Sequence, residues 1–140
     1  MKRCLIFIVI TICTLFLLSY LQWGRELDVC NSRIESFNGG YYENISIIAN
    51  SIYIFDKEEF AEQIIQDIID NSLKDILFSY DIHGYPNGLH ITVYMNEYAR
   101  KNGKSNFEIS YSQDSNYNSA YNIKDNPDKF KLNIISSTHL

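Results

Sequence analysis

The hydrophobic pattern opens with an apolar run, Cys4–Trp23, that contains no charged residue. As a helix rising 1.5 Å per residue, about 20 residues cover roughly 30 Å, the thickness of the hydrocarbon core of a bilayer. Tyr20 and Trp23, near the far end, fit the aromatic belt found at membrane interfaces. The run therefore predicts a transmembrane helix, with the lipid bilayer as the partner of residues 4–23.

A cleaved signal peptide is the alternative reading of this run. Such peptides have a shorter apolar core, of about 7–15 residues, and small residues before the cleavage site. Gly24 is preceded two places back by Gln22, so the required pair of small residues is missing there. Lys2 and Arg3 should stay cytoplasmic under the positive-inside rule. We therefore predict an uncleaved single-pass signal anchor with an extracytoplasmic domain, and secretion after cleavage as the alternative.

The next two stretches carry weaker patterns. Residues 24–40 read as a juxtamembrane stem with a helical stripe that the glycines at 39 and 40 end. The apolar residues of 41–55 fit both the spacing of a helix face and the alternation of a strand. We predict a helical first half followed by a short strand at about 51–55. The stripe of the stem consists of Leu27, Cys30, Ile34 and Phe37.

The clearest amphipathic element follows at Lys57–Asn71. Asp56 with Glu59 three places later is a capping-box arrangement, with Asp in place of Ser or Thr. The apolar residues then recur at helical spacing and form one stripe, which predicts a helix with one face in the core. They are Phe60, Ala61, Ile64, Ile65, Ile68 and Ile69.

Four later runs alternate between apolar and polar residues. Such alternation indicates strands of an antiparallel sheet that is covered on one face only. The runs are Ile76–Ile82, Leu89–Met95, Phe107–Tyr111 and Phe130–Ile134, with one helical turn predicted at about 98–103. The sequence thus predicts an α+β fold, in which an antiparallel sheet of about four strands is covered by the amphipathic helix. The domain should occupy residues 41–135, after a cytoplasmic segment at 1–3 and before a flexible tail at 136–140.

The alternation also predicts which residues share the open face. A four-residue loop at 84–87 would set Asp81 beside His90, and Met95 opposite Phe107 would set Glu108 beside Tyr94. The long connection 112–128 is rich in Asn, Ser and Tyr, as binding loops and disordered segments are. Candidate binding residues are therefore Asp81, His90, Thr92, Tyr94, Glu108, Tyr117 and Tyr121.

This face is where chemistry could reside. A carboxylate beside an imidazole can orient it and make it a general base. Asp81, His83 and His90 could together ligate a metal if the hairpin bends. The alternative is a solvated sheet face with no such role. The sequence contains no phosphate-binding glycine loop and no Cys-x-x-Cys pair, so we assign no catalytic residue and predict no cofactor.

Charge and cysteine content narrow the choice of partners. Ten of the twelve Lys and Arg residues and all seventeen acidic residues follow the apolar run, which gives that part a net charge of −7. An acidic surface argues against nucleic acid as a partner. Cys30 is the single cysteine outside the run, so it either remains a free thiol or links two chains in a dimer.

These observations favour a membrane-anchored extracytoplasmic module that binds another protein or peptide without catalysis. One alternative is a weak hydrolase or metal-dependent enzyme that uses the face of Asp81 and His90. A second is an accessory subunit whose anchor packs within a membrane complex.

Overall fold

The computed structural model describes residues 2–37, 39–114 and 116–137, with side chains from residue 4 onward. The helices and strands follow one another along the chain in an α+β order. They are α1 (Lys2–Trp23), β1 (Asp28–Phe37), β2 (Gly40–Ile48), α2 (Lys57–Ile69), α3 (Tyr80–His83), β3 (Gly88–Tyr94), α4 (Glu97–Lys101), β4 (Phe107–Gln113) and β5 (Phe130–Ser136), with a 3-10 turn at Pro127–Lys129.

Helix α1 confirms the predicted apolar helix at the N-terminus. Its Cys4–Trp23 portion has a mean hydropathy of 2.7, and none of it is buried against the rest of the chain. By length and composition this helix can cross a membrane, and signal sequences share those properties. Its orientation stays a prediction.

Within the described residues, five strands form one sheet in the order β1-β2-β3-β4-β5. Strands β2 and β3 run parallel, from Glu43 opposite Leu89 to Ile48 opposite Tyr94, and the other neighbours are antiparallel. The prediction of a purely antiparallel sheet of about four strands is therefore wrong. A parallel pair needs a long crossover connection, and the chain between β2 and β3, which includes α2, provides it.

Helix α2 confirms the predicted amphipathic helix. The Asp56 carboxylate caps it by accepting hydrogen bonds from the backbone N–H groups of Glu58 and Glu59, at 2.9 and 3.0 Å. One face of α2 joins the strands in the hydrophobic core. The buried residues include Ala61, Ile64, Ile65 and Ile68 of α2 with Ile45, Ile47, Leu89, Ile91, Val93, Phe107 and Ile109 of the sheet.

Two predictions for residues 24–55 are wrong. Residues 28–37 form β1 rather than a helical stripe, and the supposed helix after residue 41 is β2. Residues 51–55 carry no strand. The inward-facing set of β2 includes Glu43 beside Ile45 and Ile47, so a polar residue interrupts the alternation that would have revealed the strand.

The predicted strand Ile76–Ile82 is also wrong, because residues 76–79 are irregular and α3 follows. Phe78 is buried and Leu77 is exposed, so the alternation of burial is real. The backbone of Phe78, however, bonds to the side chain of Asn71, which accepts from its N–H at 2.8 Å and donates to its carbonyl at 2.9 Å. Alternating burial therefore occurs here without a β-ladder.

Strands β3, β4 and β5 confirm three predicted strands, but one register differs. Val93, rather than Met95, lies opposite Phe107, which shifts the pairing by two residues without changing the face. The chain between β3 and β4 forms α4 instead. Asn96 caps the start of α4, where its side-chain oxygen accepts from the Ala99 N–H at 2.9 Å. Of the predicted flexible tail, residues 138–140 lie outside the described residues.

We expect Ile64→Ala to lower the free energy of unfolding by about 2–5 kcal/mol, because it opens a cavity in a packed core. Ile64 is buried in α2, where it faces the sheet. Glu62→Ala, on the exposed side of the same helix, is the matched control and should change stability little. Denaturant unfolding of the full chain in detergent measures both, and similar losses for the two variants would contradict this view of α2.

Candidate functional site

The predicted binding residues occupy different parts of the structure. His90, Thr92 and Tyr94 lie on β3 and Glu108 on β4, with Thr92 directly opposite Glu108. Asp81 lies in α3 and therefore belongs to no strand of the sheet. The predicted pairing of Asp81 with His90 is therefore wrong, because the strand that would have carried Asp81 does not form.

The outer face of the sheet, opposite the core, contains a shallow polar hollow. Its volume is about 390 Å³, and it includes His90 and Thr92 of the predicted site. Hydrogen-bonding side chains from three adjacent strands surround it. The lining residues are Asn31, Arg33, Glu35, Asn44, Ile45, Ser46, His90 and Thr92. This surface offers polar contacts to a ligand but no deep enclosure.

An aromatic cluster borders one end of the hollow. The Phe37 ring lies 4.8 Å from the rings of both Tyr42 and Tyr117, and Tyr42 lies 5.2 Å from the His90 ring, measured between ring centroids. Tyr121 instead packs against the core, and its carbonyl accepts from Asn87 Nδ2 at 2.6 Å. Of the two predicted loop tyrosines, Tyr117 therefore borders the outer face and Tyr121 does not.

The three candidate metal ligands do not converge. His83 lines a cleft on the inner side of β1 and β2, whereas His90 lines the hollow on the outer side of the sheet. In the part of the chain that the structure describes, no group of three His, Cys, Asp or Glu residues is placed to hold a metal ion.

Cys30 lies at a bulge in β1, where the register with β2 shifts by one residue. Its Sγ donates a hydrogen bond to the Ser46 carbonyl at 3.1 Å, and desolvation raises the pKa of the thiol. The residue is exposed and free of a disulfide. A dimer linked through Cys30 stays a prediction.

Sequence reasoning missed a second cleft, of about 350 Å³, on the inner side of the sheet next to β1. The strands β1 and β2 form one wall, and the segment 76–83 forms the other. The lining residues are Ser32, Ile34, Tyr41, Glu43, Ile76, Leu77, Phe78, Ser79, Tyr80 and His83.

Glu43 is the distinctive residue of this cleft, because only 4% of its surface is exposed. Burial raises the pKa of its carboxyl, and a hydrogen bond donated by the Ser32 hydroxyl to Oε1 works in the opposite direction. A carboxylate held away from water is costly unless partners satisfy its oxygens. With Ser32 satisfying one oxygen, Glu43 is suited to accept a further donor from a ligand.

The two tyrosines beside Glu43 are neutral donors whose hydroxyls are already engaged. Burial, followed by the charge of Glu43, raises the pKa of Tyr41 to about 12, and burial likewise raises the pKa of Tyr80. Tyr41 Oη donates to the Gly84 carbonyl at 2.6 Å, and Tyr80 Oη donates to the Ile68 carbonyl at 2.8 Å. The bond from Tyr41 ties β2 to the end of the segment 76–83, and the bond from Tyr80 ties that segment to α2. Because both hydroxyl protons are used, Glu43 remains the group of the three that is suited to contact a ligand.

No protein-family model, curated protein or solved structure matches this chain. In the sequence, the one available signal for the cleft is a glutamate on the inward side of an isoleucine-rich run.

We expect the stability of Glu43→Gln, measured relative to wild type, to increase from acid to neutral pH. The folded state holds the Glu43 proton more tightly than the unfolded chain, because burial raises its pKa. Wild-type stability from this group is therefore greatest below the ordinary glutamate pKa of 4.5 and declines as pH rises through the raised value. The glutamine is uncharged throughout, and its oxygen can still accept from Ser32.

Denaturant unfolding of the full chain in detergent between about pH 4 and pH 8 measures this difference. Glu62→Gln, on the exposed side of α2, serves as the control. A gap between Glu43→Gln and wild type that stays constant across that range would show that Glu43 is as well solvated as a surface carboxylate.

Proposed function

We propose that this protein is a membrane-anchored, non-catalytic module that binds a segment of another protein outside the cytoplasm, as an added strand along β1. The observation that carries the proposal is the ten-residue edge strand β1 beside the cleft of Glu43. Exposed strand edges present unpaired N–H and C=O groups that another chain can use.

The hydrogen bonds of β2 indicate which groups of β1 face the edge. Tyr41 accepts from the Asn87 N–H, and the Ala49 N–H donates to Tyr94, both on the β3 side. Odd-numbered residues of β2 therefore bond toward β3, and even-numbered ones bond toward β1. Ser32 and Ile34 lie opposite odd-numbered residues of β2, so their backbone groups point to the free edge.

This edge has room for a partner. Among the described residues, the backbone groups of β1 form no hydrogen bonds with any backbone other than that of β2. Near its start, the Asp75 carboxylate accepts from the Val29 N–H at 3.2 Å. In the part of the chain that the structure describes, no side chain bonds to the backbone of Ile34. The stretch around Ser32 and Ile34 is therefore the accessible part of the edge.

The cleft and the net charge suggest the chemistry of the partner. Alternate side chains of an added strand would point inward, toward the cleft that holds Glu43. The part of the chain after α1 has a net charge of −7, which favours a basic partner. We therefore propose an extended peptide segment with a Lys or Arg side chain that reaches Glu43.

The anchor supports the same proposal. With Lys2 and Arg3 on the cytoplasmic side, the sheet would lie outside, where α1 confines it near membrane partners and raises its effective concentration. The hydrolase alternative has lost the contact between Asp81 and His90 on which it depended. The accessory-subunit alternative uses α1 as the contact and is compatible with strand addition at β1.

We expect Ile34→Pro to weaken peptide binding by about tenfold or more, because proline removes a donor that faces the edge and blocks the added strand. The ladder between β1 and β2 should persist, because the N–H of Ile34 points away from β2. Binding is measured by fluorescence anisotropy on the full chain in nanodiscs, with an extended basic peptide selected on the wild type from a displayed library.

Ile34→Ala is the matched control, since it shortens the side chain and keeps the N–H. It should bind within about twofold of wild type. Equal losses for the two variants would assign the contact to the side chain and overturn strand addition. Failure to select any basic peptide on the wild type would count against the proposed partner.

A further inference from the structure

A loop after β2, residues 51–55, presents large apolar side chains to the outside. Ile52, Tyr53 and Phe55 are all more than half exposed, and Phe55 is 76% exposed. Ile54 between them is buried in the core, so the loop is held in place while its neighbours point outward. The Tyr53 and Phe55 rings meet edge to face, 5.1 Å apart between centroids. We call residues 51–55 the apolar loop.

The end of α1 is bonded directly to this loop. Gln22 Nε2 donates to the Tyr53 carbonyl at 2.7 Å, and the Tyr53 N–H donates to Gln22 Oε1 at 3.1 Å. A side-chain amide thus pairs with both backbone groups of one residue. Trp23, which is also exposed, lines a surface pocket together with Tyr53 and Phe55.

These bonds limit how far the apolar loop can lie from a membrane crossed by α1. Gln22 is the penultimate residue of the apolar segment Cys4–Trp23, whose length matches the hydrocarbon core. The headgroup region adds only about 5–8 Å on each side. A glutamine side chain spans a similar distance, so the backbone of Tyr53 falls within the interfacial region.

We propose that the apolar loop is a second membrane contact, in which Ile52, Tyr53 and Phe55 enter the same lipid interface as Trp23. This inference depends on the proposed function insofar as α1 spans the bilayer. Aromatic rings with polar edges favour that interface, and buried apolar side chains add to the affinity. The contact would restrain the tilt of the sheet relative to the membrane.

Charges around the apolar loop indicate which lipid it contacts. Asp56, Glu58 and Glu59 follow directly, with Lys57 as the one basic residue among them. Anionic headgroups would be repelled by this cluster, so the loop should enter a zwitterionic phosphatidylcholine surface without help from acidic lipids.

Tryptophan quenching in vesicles of brominated phosphatidylcholine tests the contact on the full chain. Trp23 is the sole tryptophan, so the wild type reports the end of α1. W23F/F55W moves the probe to the apolar loop. We expect its quenching to be within about twofold of the wild type, because both probes should occupy the same interface.

W23F/I82W is the matched control, because Ile82 is 72% exposed, close to the value for Phe55. Ile82 lies in α3, two residues before Gly84, whose carbonyl accepts from Tyr41 near the start of β2. The apolar loop follows the other end of that strand, about 20 Å away at 3.3 Å per residue. Quenching of W23F/I82W should therefore be at least about threefold weaker than that of W23F/F55W.

The outcomes separate the loop from the anchor. If Trp23 is quenched but W23F/F55W matches the control, the anchor stands and the apolar loop does not contact lipid. If W23F/F55W is unquenched by lipid and also shielded from aqueous iodide, a protein surface covers the loop and the proposal is overturned. If Trp23 is itself unquenched and the chain does not float with vesicles, anchor and loop both fail. W23F/Y53W repeats the test should F55W disturb folding.

Discussion

The parallel pairing of β2 with β3 is the constraint on which the rest of the fold depends. Six residue pairs join the two strands in the middle of the sheet, and their inward side chains form much of the core. Parallel strands cannot be joined by a tight turn, so the chain must leave the sheet and return. That excursion supplies α2 to cover one face, while β1, on the far side of β2, becomes an edge.

The same arrangement explains why a carboxyl group is tolerated inside. Glu43 begins the parallel pairing and faces inward, where the segment 76–83 rather than α2 provides the cover. The Ser32 hydroxyl from β1 satisfies part of its hydrogen-bonding capacity. A leucine at this position would fit the pattern of the strand better, so burying the Glu43 carboxyl costs stability that an apolar side chain would not.

Sequence predicted those elements whose pattern and packing agree. The charge-free run of α1, the capped stripe of α2 and the alternation in β3 and β5 each carry a local signal that the fold preserves. Strand β2 could not be recognised, because Glu43 occupies an inward position and the spacing of Ile45 and Ile48 imitates a helix. The strand predicted at 76–82 is wrong for the opposite reason, because the pattern is there and the strand is not. Phe78 faces the core, but its backbone bonds to the side chain of Asn71. Within the site, residues of β3 and β4 kept their predicted face, but the cleft depends on strand order, which no local pattern encodes.

The attachment of α1 also bears on the proposed strand addition at β1. The strand begins at Asp28, only five residues after the end of α1, and its ten residues span roughly 30 Å at 3.3 Å each. With α1 across a bilayer, as we propose, one end of the edge would lie near the lipid, since Gln22 at the end of α1 holds the apolar loop. A partner segment that is itself anchored in the membrane could therefore pair along β1 starting close to its own point of exit. Both chains would then be confined to one surface before they meet, which lowers the entropy lost on association and lets a modest row of backbone hydrogen bonds suffice.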